Sequence, residues 1–124
     1  MRLLLIVGAG GFLGSVAWFL LSRYVTVQTE SIFPWGTLIV NLLGCFLIGL
    51  FFGIAAKNDL FNANLRMFLT VGFCGGFTTF STFANENLIL FREGQILPAA
   101  IYTAVSVFFG VLLTYAGHQI PKFF

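Results

Sequence analysis

Charged residues divide this chain into four long apolar stretches joined by short polar segments. Each stretch is free of charge and holds about 20 residues or more, which is the length that a helix needs to cross the hydrocarbon core of a bilayer. The pattern therefore predicts an all-α membrane protein with four transmembrane helices in a single domain over residues 1–124. The four predicted spans are residues 3–22, 32–56, 67–85 and 96–117.

The composition excludes several other classes of protein. The chain is 59% hydrophobic with a mean hydropathy of +1.00, and only 8% of its residues are charged, whereas a soluble domain carries roughly 25%. The net charge of +2 comes from scattered residues, which is not the pattern of a nucleic-acid-binding surface. The connections near residues 23–31, 57–66 and 86–95 leave no room for a soluble catalytic domain, so we expect no enzyme activity.

The loop charges favour neither membrane orientation strongly. Four spans place both termini and the second loop on one side of the membrane. Lys and Arg in short loops set orientation, and here the difference between the two sides is small, with Asp59 and Glu93 nearby. A topology with cytoplasmic termini and insertion in both orientations both remain open. The basic residues are Arg2, Lys57, Arg66 and Lys122 on the side of the termini, and Arg23 and Arg92 on the other.

Glycines recur at helical spacing in three spans. A spacing of four residues places small residues on one helix face, where they let two backbones approach closely in lipid. Four helices alone offer little interior for the polar residues of the spans, so we expect an oligomer. The pairs are Gly10 with Gly14, Gly49 with Gly53, and Gly72 with Gly76.

The third span contains a glycine pair followed by hydroxyl residues. Residues 75–83 read Gly-Gly-Phe-Thr-Thr-Phe-Ser-Thr-Phe near the centre of the bilayer. Adjacent glycines permit the helix to unwind, and backbone carbonyls freed in this way form a site for a hard cation. Alternatively, the glycines serve close packing, and the Ser and Thr hydroxyls bond back to the preceding turn.

Aromatic and polar side chains in the spans are candidates for an ion path. Phe80 and Phe83 share a helix face, and a ring turned edge-on can favour a small anion, although aromatic stripes are usually core. Asn41 lies within the second span, where its amide suits either a bond between helices or coordination of a dehydrated anion. Tyr102 and Ser106 align on the fourth span, where hydroxyls often satisfy a local carbonyl instead.

Charged side chains are missing from the interior of every predicted span. Glu86 comes nearest, at the end of the third span, so the sequence shows no evident proton relay. Uncharged donors and a caged cation fit a passive pore for a small anion better than a pump.

Three segments give the chain its family resemblance. They are residues 10–14 (Gly-Gly-Phe-Leu-Gly), residues 36–44 (Gly-Thr-Leu-Ile-Val-Asn-Leu-Leu-Gly) and residues 75–83, and a weaker match in the fourth span rests on Tyr102, Ser106 and Gly110. Through them the chain resembles the Fluc (CrcB-type) fluoride channels over essentially its whole length. The resemblance implies a multi-pass protein of the microbial cell membrane that lets fluoride leave the cytoplasm passively and lowers its toxicity.

The resemblance also implies an assembly and a set of site residues. It implies an antiparallel, dual-topology homodimer surrounded by lipid, with a break in the third helix, two fluoride pores and one structural sodium ion that is not transported. The backbone carbonyls of Gly75 and Thr78 would hold the sodium. The implied pore-lining residues are Asn41, Phe80, Phe83, Tyr102, Ser106, Thr37, Thr79, Ser81 and Thr82.

One position departs from the family pattern. Trp18 stands where similar proteins often have Arg, and the nearest Arg is Arg23, which we expect to extend its charge to the membrane interface.

Three other functions are alternatives to a channel. A small multidrug transporter would carry a Glu in its first span, and residues 3–22 contain no acid. A fluoride/proton antiporter would need a proton relay. An accessory packing subunit would transport nothing.

Overall fold

The computed structural model describes residues 1–57 and 61–124, and this part of the chain is helical without strands. Four helical runs are long and apolar enough to span a membrane, which confirms the predicted class. Asp59, one of the acids considered for orientation, lies outside the described residues. The helices are α1 (Arg2–Thr29), α2 (Trp35–Lys57), α3 (Ala63–Arg66), a π-helical segment (Met67–Cys74), α4 (Gly75–Phe77), α5 (Phe80–Arg92), α6 (Ile96–Gln119) and a terminal 3₁₀ turn (Ile120–Phe123).

Two helices extend well past the limits of the apolar stretches. Helix α1 continues beyond Arg23 and ends where Glu30 adopts a left-handed conformation with φ 46°. The Arg23 guanidinium lies 5.8 Å from the centre of the Phe19 ring, so its long side chain is accommodated on the helix surface. Helix α5 likewise includes Glu86. The segments predicted as loops at residues 23–31 and 86–95 are therefore largely helical, because hydropathy marks the hydrocarbon thickness and not the ends of a helix.

Glycines set the close approach of the helices, as the spacing predicts. A Cβ atom added to Gly72 would lie 2.9 Å from the Val7 carbonyl oxygen, and one added to Gly76 would lie 2.6 Å from the Gly11 carbonyl oxygen. These contacts pack α1 parallel to the third crossing. A Cβ on Gly49 would overlap the Thr114 carbonyl oxygen, and one on Gly53 would lie 2.6 Å from the His118 carbonyl oxygen, so α2 packs parallel to α6.

A hydrogen bond ties the end of α2 to the C-terminal turn. The Lys57 ammonium donates to the carbonyl oxygen of Pro121 at 2.6 Å. The second loop and the C-terminus therefore lie at the same end of the bundle, as four crossings require.

Candidate functional site

The third crossing is interrupted between α4 and α5. Thr78 (φ −100°, ψ 154°) and Thr79 (φ −147°, ψ 122°) have extended backbone, whereas Gly75 is helical with φ −62° and ψ −38°. The sequence-based expectation that the glycine pair itself unwinds is therefore wrong. Gly76 is needed for contact with α1, and the extended residues are threonines, whose branched side chains suit extended backbone.

Asn41 of α2 binds both backbone groups of Thr79. The Thr79 N–H donates to Asn41 Oδ1 at 2.9 Å, and Asn41 Nδ2 donates to the Thr79 carbonyl oxygen at 3.2 Å. The half-buried amide thus acts as the bond between helices that was one of its two sequence-based interpretations. One N–H of its Nδ2 group is left for another acceptor.

The hydroxyl groups of the interruption also serve the backbone. The Thr82 N–H donates to Thr79 Oγ1 at 3.3 Å, so Thr79 caps the N-terminus of α5. The Thr79 hydroxyl in turn donates to Thr82 Oγ1 at 3.2 Å. The Thr78 hydroxyl donates to the Cys74 carbonyl oxygen at 2.9 Å. This is the alternative interpretation of the hydroxyl residues, in which they bond back to the preceding turn.

Both predicted sodium-binding residues are among those at the interruption whose carbonyl groups lack donors. Within residues 1–57 and 61–124, no N–H or O–H group donates to the carbonyl oxygen of Gly75 or of Thr78. Unpaired carbonyls at the depth of a membrane are costly unless a cation or another donor satisfies them.

A cavity of about 430 Å³ lies against the interruption. Its lining combines hydroxyl groups, an amide and aromatic rings, and the Ser106 hydroxyl oxygen is buried with no hydrogen-bond partner among the described residues. The cavity brings together seven of the eleven predicted site residues, namely Asn41, Gly75, Thr78, Thr79, Phe80, Phe83 and Ser106.

The other four predicted residues do not line this cavity. Tyr102 is completely buried, and its ring centre lies 4.9 Å from that of Phe83, so it stands behind the cavity wall. Thr37 is also buried. Ser81 is exposed and Thr82 is half-buried, and both lie outside the cavity lining.

Known proteins resemble this chain along nearly its full length. Residues 5–118 match the family model described as CrcB-like protein, Camphor Resistance (CrcB). The chain belongs to the CrcB family. A relative from Flavobacterium psychrophilum is 42% identical over 98% of both chains, and one from Chlorobium phaeobacteroides is 45% identical over 96% of this chain and 92% of its own. Both are named Fluoride-specific ion channel FluC.

Membership of the CrcB family also bears on the class of this protein. The family is not one of enzymes. Together with four helices able to span a bilayer, it makes this chain a multi-pass membrane protein.

Two side-chain hydrogen bonds between α5 and α6 of this CrcB-family chain were not predicted from the sequence. Glu86, at the end of the predicted third span, accepts a hydrogen bond from the Tyr102 hydroxyl at 3.2 Å. Thr103 similarly donates to Asn87 Oδ1 at 3.3 Å. Both pairs are sixteen residues apart across the turn between α5 and α6, and this equal spacing of polar residues is the signal that could have revealed them.

Trp18, the departure from the family pattern, is half-buried. Its indole N–H is buried and finds no acceptor among residues 1–57 and 61–124. The position thus holds a neutral donor that is unpaired within the described part of the subunit.

Proposed function

We propose that this protein is a fluoride-selective channel through which fluoride leaves the cytoplasm passively. The observation that carries the proposal is the near full-length similarity to proteins named fluoride-specific ion channels. The cavity supports it, because the described residues of its lining include amide and hydroxyl groups but no Lys, Arg, His, Asp or Glu. Such a lining provides no site for coupling to protons.

The aromatic residues of α5 are proposed to line the path. Phe80 is 79% exposed and Phe83 lies behind it, with ring centres 5.7 Å apart at an interplanar angle of 40°. The edge of an aromatic ring carries partial positive charge, so two edges can favour a small anion without binding it as tightly as a fixed cation would. The free N–H of Asn41 and the unpaired Ser106 hydroxyl would add donors along the same wall.

The functional unit is proposed to be an antiparallel homodimer with two such pores. The large exposure of Phe80 and the open cavity beside it support a partner at this surface, since four helices bury little of their polar content. Insertion in both orientations supplies the antiparallel arrangement.

A structural sodium ion at the dimer centre fits the oxygen ligands that the subunit offers. The carbonyl oxygens of Gly75 and Thr78 are unpaired within the described part of the subunit, and both residues line the same cavity. Neutral oxygen ligands suit a hard monovalent ion, whose charge would stabilise carbonyls turned away from helical donors. The ion would hold the subunits together and would not be transported.

Fluoride efflux from liposomes containing the purified protein tests the proposal, with chloride as the control ion. We expect fluoride to pass and chloride to be retained, because dehydrating fluoride requires close donors in a path too narrow for larger anions. Equal permeation of the two ions, or no leak of either, would contradict the assignment, and the second result would favour an accessory subunit.

A further inference from the structure

Among the described residues, the interruption leaves the carbonyls of residues 75–78 without their helical donors, and two of those donor N–H groups bind side chains instead. In an uninterrupted α-helix, each carbonyl accepts from the N–H four residues later. The partner of the Gly75 carbonyl would be the Thr79 N–H, and that of the Thr78 carbonyl would be the Thr82 N–H. In this structure the first N–H donates to Asn41 and the second to the Thr79 side chain.

We propose that Asn41 and Thr79 are positioning residues that hold the carbonyl oxygens of Gly75 and Thr78 open for a cation. This inference rests on the proposed function for the identity of the ion. It gives Asn41 a role distinct from lining the fluoride path, because its Oδ1 atom acts on the backbone of the third crossing.

Asn41 diverts the helical donor of the Gly75 carbonyl. Its amide occupies both the N–H and the carbonyl oxygen of Thr79, at 2.9 and 3.2 Å. The Thr79 carbonyl oxygen thus already accepts a hydrogen bond, whereas the carbonyl oxygens of Gly75 and Thr78 accept none from the described residues. Asn41 lies 38 residues before Thr79, so the site depends on α2 as well as on the third crossing.

The Thr79 side chain likewise diverts the helical donor of the Thr78 carbonyl, three residues further along the chain. Its hydroxyl oxygen accepts the Thr82 N–H at 3.3 Å, which keeps that donor from the Thr78 carbonyl. A serine would retain this acceptor, whereas a valine of the same shape would not. Without the side-chain acceptors, the two N–H groups would be unsatisfied in the membrane, and closing the helix onto Gly75 and Thr78 would satisfy them.

The test uses sodium-dependent thermal stability of the purified full chain, because a ligand that binds the folded state raises its Tm. Asn41→Leu and Thr79→Val each remove one acceptor, and Thr79→Ser restores it. Thr114→Val is the matched control, since the Thr114 hydroxyl only donates to carbonyls, those of Gly110 and Cys45. Sodium is varied against N-methylglucamine, and amide hydrogen exchange is measured at Thr79 and Thr82.

We expect Asn41→Leu and Thr79→Val to raise the sodium concentration for half-maximal stabilisation by about tenfold or more, since an unmade buried hydrogen bond costs about one such factor. Thr79→Ser and Thr114→Val should match the parent protein. Exchange at Thr79 should change in Asn41→Leu alone, and exchange at Thr82 in Thr79→Val. Unchanged sodium dependence in both acceptor-removing variants would overturn the inference.

The two proposals fail separately. If the parent protein conducts fluoride but its Tm does not depend on sodium, the cation site and this inference are overturned, whereas the channel proposal is unaffected. If sodium stabilises the protein and the variants behave as expected but no fluoride passes, the channel proposal is wrong and the positioning roles stand. Should Asn41→Leu fail to fold, the Thr79→Val and Thr79→Ser pair still decides the question.

Discussion

Phe80 and Phe83 are three residues apart on α5, yet their surroundings differ. Phe80 is 79% exposed, whereas Phe83 packs on the completely buried Tyr102 ring. The spacing predicts a shared face, and it cannot predict this difference, because the position of Tyr102 depends on the fold of α6 against α5. The two aromatic residues should therefore respond differently to the same substitution.

Replacing either ring by isoleucine tests its part in the ion path. We expect Phe80→Ile to reduce fluoride efflux by about tenfold, the factor for losing a ring-edge interaction of about 1.4 kcal/mol, with little change in Tm. Phe83→Ile should reduce efflux and also destabilise the subunit by about 1 kcal/mol, since a packed ring is replaced by a smaller side chain. Normal efflux by both variants in folded dimers would show that the rings only pack.

For Asn41, the sequence predicts that the amide needs hydrogen-bond partners but not which groups they are. Its position in an apolar span shows that the amide needs partners, and the sequence favours no particular one. The partners are backbone groups of Thr79, a residue in another helix. Only the docking of α2 against the interruption decides between a bond across helices and an amide fully available to an anion.

At the scale of helices, the apolar pattern predicts four crossings correctly and their ends less well. Charges at Arg23 and Glu86 mark the edge of the apolar stretch, while α1 and α5 continue past them because a helix persists as long as its backbone bonds are made. The π-helical segment at Met67–Cys74 had no signal in the sequence. Glycine spacing predicted the close contacts, whereas the adjacent glycines placed the interruption three residues before the extended Thr78 and Thr79.

The adjacent glycines of α4 provide a matched pair for testing helix packing. A Cβ on Gly76 would meet the α1 backbone, whereas one on Gly75 would have no heavy atom within 4 Å in the subunit. We expect Gly76→Ala to destabilise the folded protein by about 1–3 kcal/mol, as overpacking does. Gly75→Ala should leave the stability of the subunit unchanged or raise it by up to about 1 kcal/mol, because alanine favours helix.

Thermal unfolding in detergent measures both variants, with sedimentation used to follow dimer formation separately. A loss of stability in Gly75→Ala as large as that in Gly76→Ala, with no change in assembly, would contradict the packing described for α1 and α4.

At the scale of the whole molecule, the orientation expected for the subunit depends on a small difference in loop charge. The end with both termini carries four Lys and Arg residues and the opposite end carries two, in a chain with four acids. The hydrogen bond from Lys57 to Pro121 also occupies one of the four. An antiparallel dimer needs both orientations in one membrane, so the weakness of the bias would itself be functional.

Changing the balance of loop charges should therefore separate the two orientations and abolish efflux until the orientations are recombined. One variant adds lysines at the exposed positions Ala63 and Phe124, which changes the Lys and Arg count from four against two to six against two. A reversed variant adds lysines at the exposed positions Gln28, Thr29 and Ser31 and replaces Arg2, Arg66 and Lys122 by glutamine, which changes the count to one against five. Each charge in a short loop favours the cytoplasmic side. Either variant expressed alone should insert in one orientation and lose fluoride efflux, whereas the two expressed together should restore it. Accessibility of a terminal tag from outside the cell reports orientation, and efflux from liposomes reports function. Full efflux from a variant shown to insert in only one orientation would mean that the active unit is not an antiparallel dimer.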